Sequence, residues 1–258
     1  KNKPSENTVT VTAKNRSAYE KYFRKVAAYD ITNVNCGYCP LMASALENTA
    51  AEWKQHMTVF AIHGPYDLQD PYIIGGVANN LLSKYIGSGS YPSAIFNLDY
   101  TMTGAGDAKP AFIAGVIEDQ LRTNPATCGI RINSSYADKT ITINAGLTSS
   151  TGGKYDIGYA VLLNNGTYVG GTASDNKYDD IVVGLSGNYM AMSENAFTVA
   201  ANEEHTGATT FELKEDIAGN LSNYRVAVFA LRNNGSKVII DNVAECSLGG
   251  SVDYKVNE

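Results

Sequence analysis

The sequence predicts an α/β unit over residues 1–124 followed by an all-β unit, an antiparallel sandwich of immunoglobulin-like type, over 125–258. Three observations carry that reading. From residue 24 to 124, short β-like runs alternate with segments whose apolar residues recur every three or four positions. After "RTNPATCG" (122–129) the helical period disappears, and short runs rich in Val, Ile, Thr and aromatics follow one another. Asn-Gly stands between such runs twice, in "VLLNNGTYV" and "ALRNNGSKV", which is a strong hairpin signal.

Taken in order, "RKVAAYDIT" (24–32) reads as a strand that leads into Cys36. From Pro40, the positions Met42, Leu46, Ala50 and Trp53 define one helical face, with Glu47, Asn48 and Lys54 opposite. Pro40 suits the first turn, where a missing N–H does no harm. "MTVFAIH" (57–63) is a buried strand, and a second helix falls within 70–86. "YPSAIFNLDY" (91–100) reads as a strand opened by a proline, followed by a short return strand and the turn "TGAG". Asp107 is the expected N-cap of a last helix bearing Phe112, Ile113, Val116, Ile117 and Leu121 on one face. Beyond it, 139–147, 155–163, 179–185, 196–202, 209–214, 224–231 and 237–243 read as strands. Residues 1–16 are polar and read as a flexible tether or an edge strand.

Composition narrows the function classes. Of 258 residues 44% are apolar, enough for a sizeable core. The net charge of −6, with no Lys/Arg stripe, argues against nucleic acid as a partner. No apolar run approaches the ~20 residues of a membrane span. Low charge content and abundant Tyr, Asn, Gly, Ser and Thr suit an extracytoplasmic protein, and an even cysteine count fits an oxidising compartment.

The chemistry concentrates in Cys36-Gly37-Tyr38-Cys39. A cysteine pair at a strand–helix junction is a redox arrangement, because unpaired N–H groups and the helix dipole stabilise a thiolate there. Cys36 is then the exposed nucleophile, and Cys39 the more buried thiol that resolves a mixed disulfide. A zinc site needs two more ligands, and His56, His63 and His205 are scattered. A structural clip remains open as the alternative. Cys128 and Cys246 flank the β-rich half and are expected to pair, closing a loop worth about 4–5 kcal/mol on the chain-entropy model. His63 reads as a capping or surface residue, and "SDNKYDD" (174–180) as a solvated turn lacking a calcium-loop pattern.

Over residues 20–124 the chain resembles the thioredoxin superfamily, through Cys36–Cys39 at the junction and the later "SYPSAIF". The resemblance implies a cis-proline at Pro92 beside the dithiol and a buried acid at Asp30 that shuttles the proton of Cys39. Tyr38 and Tyr91 are the implied substrate contacts. The chain departs from the pattern at Asn35, where an aromatic residue is usual, and at Tyr91, where a small or β-branched one is. A narrower resemblance spans nearly the whole chain. "CGYCP", a strand ending in "AIHG", and "YPSAI" ahead of a β-rich half look like the outer-membrane-protein-28-related family of anaerobic Gram-negative bacteria. It implies an exported, lipid-anchored protein of the cell envelope, at the periplasmic or outer-membrane surface. The expected function is thiol–disulfide exchange with extracytoplasmic protein thiols or disulfides, without a bound cofactor or metal. The rival expectation is a non-catalytic surface protein for binding or adhesion, with the same fold as scaffold.

Overall fold

A computed structural model describes residues 21–213 and 220–257; the tether or edge strand expected over 1–16 lies outside the described residues. Val26–Thr32 forms β1, buried along its whole length, as a strand covered on both faces requires. Helix α1 spans Cys39–Glu47 with Pro40 in its first turn. The helix expected to run on to Trp53 stops here. The Asn48 amide donates to Ser44 O and Thr49 Oγ1 donates to Ala45 O, so side chains take up the terminal carbonyls. A one-turn helix, α2, follows at Ala51–Lys54.

Strand β2, Met57–His63, runs parallel to β1 from Val26 opposite Met57 to Thr32 opposite His63. Helix α3, Val77–Leu81, continues into a π-turn over Leu82–Ile86 and ends at Gly87 with φ 75°. The run 91–100, expected as one strand, is a hairpin instead. Asn97 and Leu98 take positive φ between β3, Ser93–Phe96, and β4, Tyr100–Thr103. Helix α4, Pro110–Thr123, has Lys109 rather than Asp107 at its N-cap, since Pro110 fills the first helical position. Ile113, Val116 and Ile117 are buried on it, whereas Phe112 faces solvent.

In the second half, β5 (Cys128–Ala137) pairs with β6 (Thr140–Ser149) across Asp138 and Lys139, both at positive φ. Strand β5 escaped the sequence reading because Arg, Asn and Ser interrupt its apolar alternation. Strand β7 is Gly153–Leu163, β8 Gly166–Thr167, β9 Lys177–Tyr178 and β10 Ile181–Leu185. Strand β11 is Phe197–Val199, β12 Glu204–Glu212, β13 Tyr224–Asn234, β14 Lys237–Ser247 and β15 Ser251–Val252. The Asn-Gly of "ALRNNGSKV" makes the expected hairpin, with Gly235 at φ 63° between β13 and β14. At "VLLNNGTYV" the chain turns but the flanking strands do not pair. Strand β8 pairs with β9, and β7 with β10, β11 and β13.

The main sheet runs β14-β13-β7-β10-β2-β1-β3-β4 and draws on both halves of the chain. Its junction is β10 beside β2, where Ile181 pairs in parallel with Ala61 and Ala61 N donates to Asp180 O at 2.8 Å. A four-stranded sheet, β12-β6-β5-β15, covers one face of the C-terminal strands. Ile130, Ile141, Ile143 and Leu147 meet Tyr155, Val161, Val226 and Val228 across that gap. A second core packs α3 on the main sheet around Phe60 and Phe229, and a third packs α1 and α4 on its other face around Met42, Phe96 and Ile117. The consequence for the cysteine pair is that the segment carrying β8 and β9 reaches over from the C-terminal half to the loop after β1.

Candidate active site: the Cys36–Cys39 disulfide

The loop from β1 to α1 is pinned before it reaches the cysteines. Buried Asn33 donates its amide to Gly64 O (2.8 Å) and Asp67 O (3.0 Å), and its Oδ1 accepts from Asn35 N. Asp70 accepts from Val34 N at 2.9 Å and holds His63 Nδ1 at 2.7 Å, both side chains almost wholly buried. His63 is therefore an internal strut at the end of β2, packed against Tyr72 and Tyr178. That corrects the surface reading and leaves its capping character.

Cys36 and Cys39 form a disulfide with Cα atoms 5.4 Å apart. Cys39 is the first residue of α1, and Tyr38 is its N-cap, two-thirds exposed. Cys36 lies in the turn before the helix, its N–H donating to Asn33 O. In this oxidised form both cysteines are only 2% exposed, whereas the expected exposure of Cys36 over Cys39 refers to the reduced thiols. The reason for the burial is tertiary. Thr172 N donates to Val34 O at 2.8 Å, Thr172 Oγ1 to Val34 O and Cys36 O at 3.0 and 3.1 Å, and Tyr178 OH to Val34 O at 3.2 Å. The hairpin of β8 and β9 thus clasps the cysteine loop from outside, and Tyr72 OH, donating to Thr167 O, ties it to the loop after β2.

Asp30 projects from β1 into an open cleft of about 920 Å3 that Cys39 also lines. It is 2% exposed, and its Oδ1 has no hydrogen-bond partner. Burial pushes its carboxyl up to about 7, and the charge of Asp180 adds to the effect. Asp180 lies against the same cleft and is raised to about 6 by burial, against the lowering pull of Arg225. Pro92 is buried and follows a cis peptide bond from Tyr91. Ile31 stands opposite Ser93, so the antiparallel register carries Pro92 to Thr32, the last residue of β1. Tyr91 is half-buried and leans on Tyr66 with ring centroids 5.4 Å apart.

The second expected disulfide does not form: Cys128 and Cys246 are free. Cys128 Sγ donates to Asp241 Oδ2 at 3.2 Å, on β14. Cys246 lies five residues beyond Asp241 on that strand, roughly 16–17 Å from it at the β-strand rise, whereas a disulfide needs Cα atoms within about 7 Å. Asp241 instead gathers Thr127 N, Cys128 N and Arg232 Nε around one buried carboxylate. The acids of 174–180 serve turns and pairs. Asp175 accepts from Lys177 N, Asp179 from Asn165 N, and Asp180 pairs with Arg225. Among the described residues no group of three or more His, Cys, Asp or Glu converges as metal ligands.

Sequence reasoning missed Asp70, Thr172, Tyr178 and Asp180, which reach the cysteine loop or its cleft from sequence distances of 34 or more. Only the "SDNKYDD" cluster drew attention to that segment, and for a different chemistry.

Fold and site together define an α/β unit carrying a CxxC disulfide, clasped by a β-rich half that shares its sheet. Among solved structures this arrangement aligns with HBP35 of Porphyromonas gingivalis at a TM-score of 0.69 and 18% identity, covering 88% of this chain and 76% of that one. A structural-genomics target from Agrobacterium tumefaciens aligns at 0.55 and 18% identity, covering 88% and 95%. At such identity these likenesses establish a shared fold and nothing finer. A domain of the outer membrane lipoprotein Omp28 from Porphyromonas gingivalis reaches a TM-score of only 0.31 at 12% identity, over 48% of this chain and 89% of that one. No protein-family model matches the chain, and no curated protein matches it.

Proposed function

We propose that this is a thioredoxin-like protein of the bacterial cell envelope, related to the outer-membrane-protein-28 family, that exchanges disulfides with extracytoplasmic proteins. One observation carries the reading: Asp30, buried and short of a partner, faces the cleft that Cys39 lines. A carboxyl held near neutral pH is matched to accepting a thiol proton there. Pro92, at the end of β3 nearest the cysteine loop, shapes the entry with exposed Tyr38 and half-buried Tyr91 as contacts. An extended substrate strand would bind chiefly through its backbone. In the exchange, Cys36 thiolate attacks a substrate disulfide, one substrate sulfur leaves as thiolate, and Cys39 then displaces the other while Cys36–Cys39 re-forms. The family and the envelope location rest on "CGYCP", "AIHG" and "YPSAI"; the fold shared with HBP35 supports the architecture alone. A precursor sequence carrying an export signal and a lipid-attachment cysteine upstream of Lys1 tests the location.

The burial of Cys36, with Thr172 bonded to its carbonyl, supports the second reading, a surface binding protein in which the disulfide is a clip. One experiment separates the two. In the exchange reading, the Cys39→Ser protein captures model peptide disulfides as mixed disulfides at Cys36, and the Cys36→Ser protein captures none. A wild-type disulfide that resists millimolar dithiothreitol, with no capture by Cys39→Ser, establishes the clip.

A further inference from the structure

We propose that Asp180, supplied by the C-terminal half, is the partner carboxylate of Asp30 and sets the readiness of Asp30 to take the Cys39 proton. This rests on the exchange reading above and adds a residue from outside the α/β unit. The geometry begins with strand order. Asp30 is opposite Ala61, Ala61 is opposite Ile181, and Asp180 O accepts from Ala61 N at 2.8 Å. Asp180 is thus one strand removed from Asp30 across β2, and both side chains line one cleft. Asp180 adopts φ 56°, which interrupts the β conformation just where β10 joins the sheet.

The position of Asp180 is held by charge. Arg225 pairs with Asp180 through Nη2 and with Glu245 through Nη1, and Lys25 pairs with the other oxygen of Glu245. This relay alternates in sign and ends on Asp180. The other titratable groups on the cleft are Glu47 from α1, Lys54 from α2, His63 from β2, and Asp175, Lys177, Tyr178 and Asp179 from the β9 segment; Cys39, held in the disulfide, does not titrate. Glu47 is paired with Lys54, and His63 with Asp70. Asp175 and Asp179 are exposed and occupied by turn N–H groups. Among the described residues, Asp180 is the acid left to act on Asp30 through poorly solvated space.

In the resolving step Cys36 is joined to a substrate sulfur. The Cys39 thiol gives its proton to the Asp30 carboxylate, and its sulfur attacks Cys36 Sγ. The Cys36–Cys39 bond forms, the Cys36–substrate bond breaks, and its electron pair leaves with the substrate thiolate, which takes a proton from water. A negative Asp180 favours that transfer, because it opposes a second anion at Asp30.

The test follows the Asp30 carboxyl carbon by NMR against pH in the oxidised full chain. Removing the Asp180 charge with Asp180→Asn lowers the Asp30 midpoint by about half a pH unit or more, on Coulomb grounds. Asp180→Gly, which also removes the charge and suits φ 56°, lowers the midpoint likewise; this variant decides the matter if Asp180→Asn does not fold. Asp179→Asn, an exposed neighbour, leaves it in place. An Asp30 midpoint that ignores Asp180→Asn, or moves equally with Asp179→Asn, overturns the proposal. The pH at which the Cys36–Cys39 reduction potential changes slope follows the Asp30 midpoint in each variant. A shifted midpoint in a protein that exchanges no disulfide upholds the Asp30–Asp180 partnership and overturns the exchange reading instead.

Discussion

Loosening the clasp on the cysteine loop is expected to speed reduction of the disulfide. Thr172 Oγ1 donates to Val34 O and Cys36 O, so Thr172→Val removes one shared hydrogen bond while keeping the side-chain shape. Val34 O still accepts from Thr172 N and Tyr178 OH, and Cys36 O from Cys39 N, so neither carbonyl is orphaned. The loss is then that of one net hydrogen bond, about 1 kcal/mol, which multiplies the open population about fivefold. Tyr178→Phe removes the second side-chain donor and also the acceptor of Ala173 N, so it costs somewhat more. The double variant falls between about fivefold and thirtyfold, since both donors share one acceptor and do not add. If the loop closes faster than the reductant attacks, the reduction rate tracks the open population. The assay is reduction of the native protein by dithiothreitol, quenched by alkylation and read by peptide mass at Cys36 and Cys39. Thr172→Ser keeps the hydroxyl and the wild-type rate. Urea midpoints for every chain exclude global unfolding as the route. Wild-type rates in Thr172→Val, Tyr178→Phe and the double variant refute the idea that this hairpin controls access.

Other perturbations test the frame around the site. Asp30 has a folded pKa of about 7, above the ordinary carboxyl value near 4, so the native state holds a proton that the unfolded chain has lost between those pH values. Stability therefore falls as pH rises through that window; Asp30→Asn removes that share, roughly 4 kcal/mol at its upper end, and urea titrations from pH 4 to 8 reveal the flatter profile. Asp241→Ala leaves Arg232 and buried Arg24 without their acid and costs about 3–5 kcal/mol, measurable as a lowered urea midpoint. In native alkylation, half-buried Cys246 reacts well before Cys128, whose thiol is pushed up by burial and by Asp241; peptide mapping of unreduced protein finds both free. A Cβ on Gly158 overlaps the Phe229 ring in the core, so Gly158→Ala destabilises by about 1–3 kcal/mol in the same denaturation assay.

Local pattern determined most elements and the chemistry of one loop. The periods of two and of three to four residues located β1, β2, α1 and α4, because each of these buries one continuous apolar set. Cys36, Cys39 and Pro92 were legible since the strand–helix junction and the proline-opened strand are short-range features. Boundaries failed where side chains rather than periodicity ended an element, as Asn48 and Thr49 end α1 and as Asn97 and Leu98 divide 91–100. Tertiary structure alone decided the rest. The turn at Asn165-Gly166 is encoded locally, but which strand β7 pairs with is set by the packing of β13, β10 and β11 around it. The expected pairing of Cys128 with Cys246 rests on their flanking the β-rich half, whereas the fold puts Asp241, not Cys246, beside Cys128. Thr172, Tyr178 and Asp180 reach the cysteine loop and its cleft only because β10 docks on β2 and continues the sheet. A dithiol's chemistry is written in its neighbouring residues; its exposure and the charge behind it depend on contacts more than 130 positions away, which no local pattern encodes.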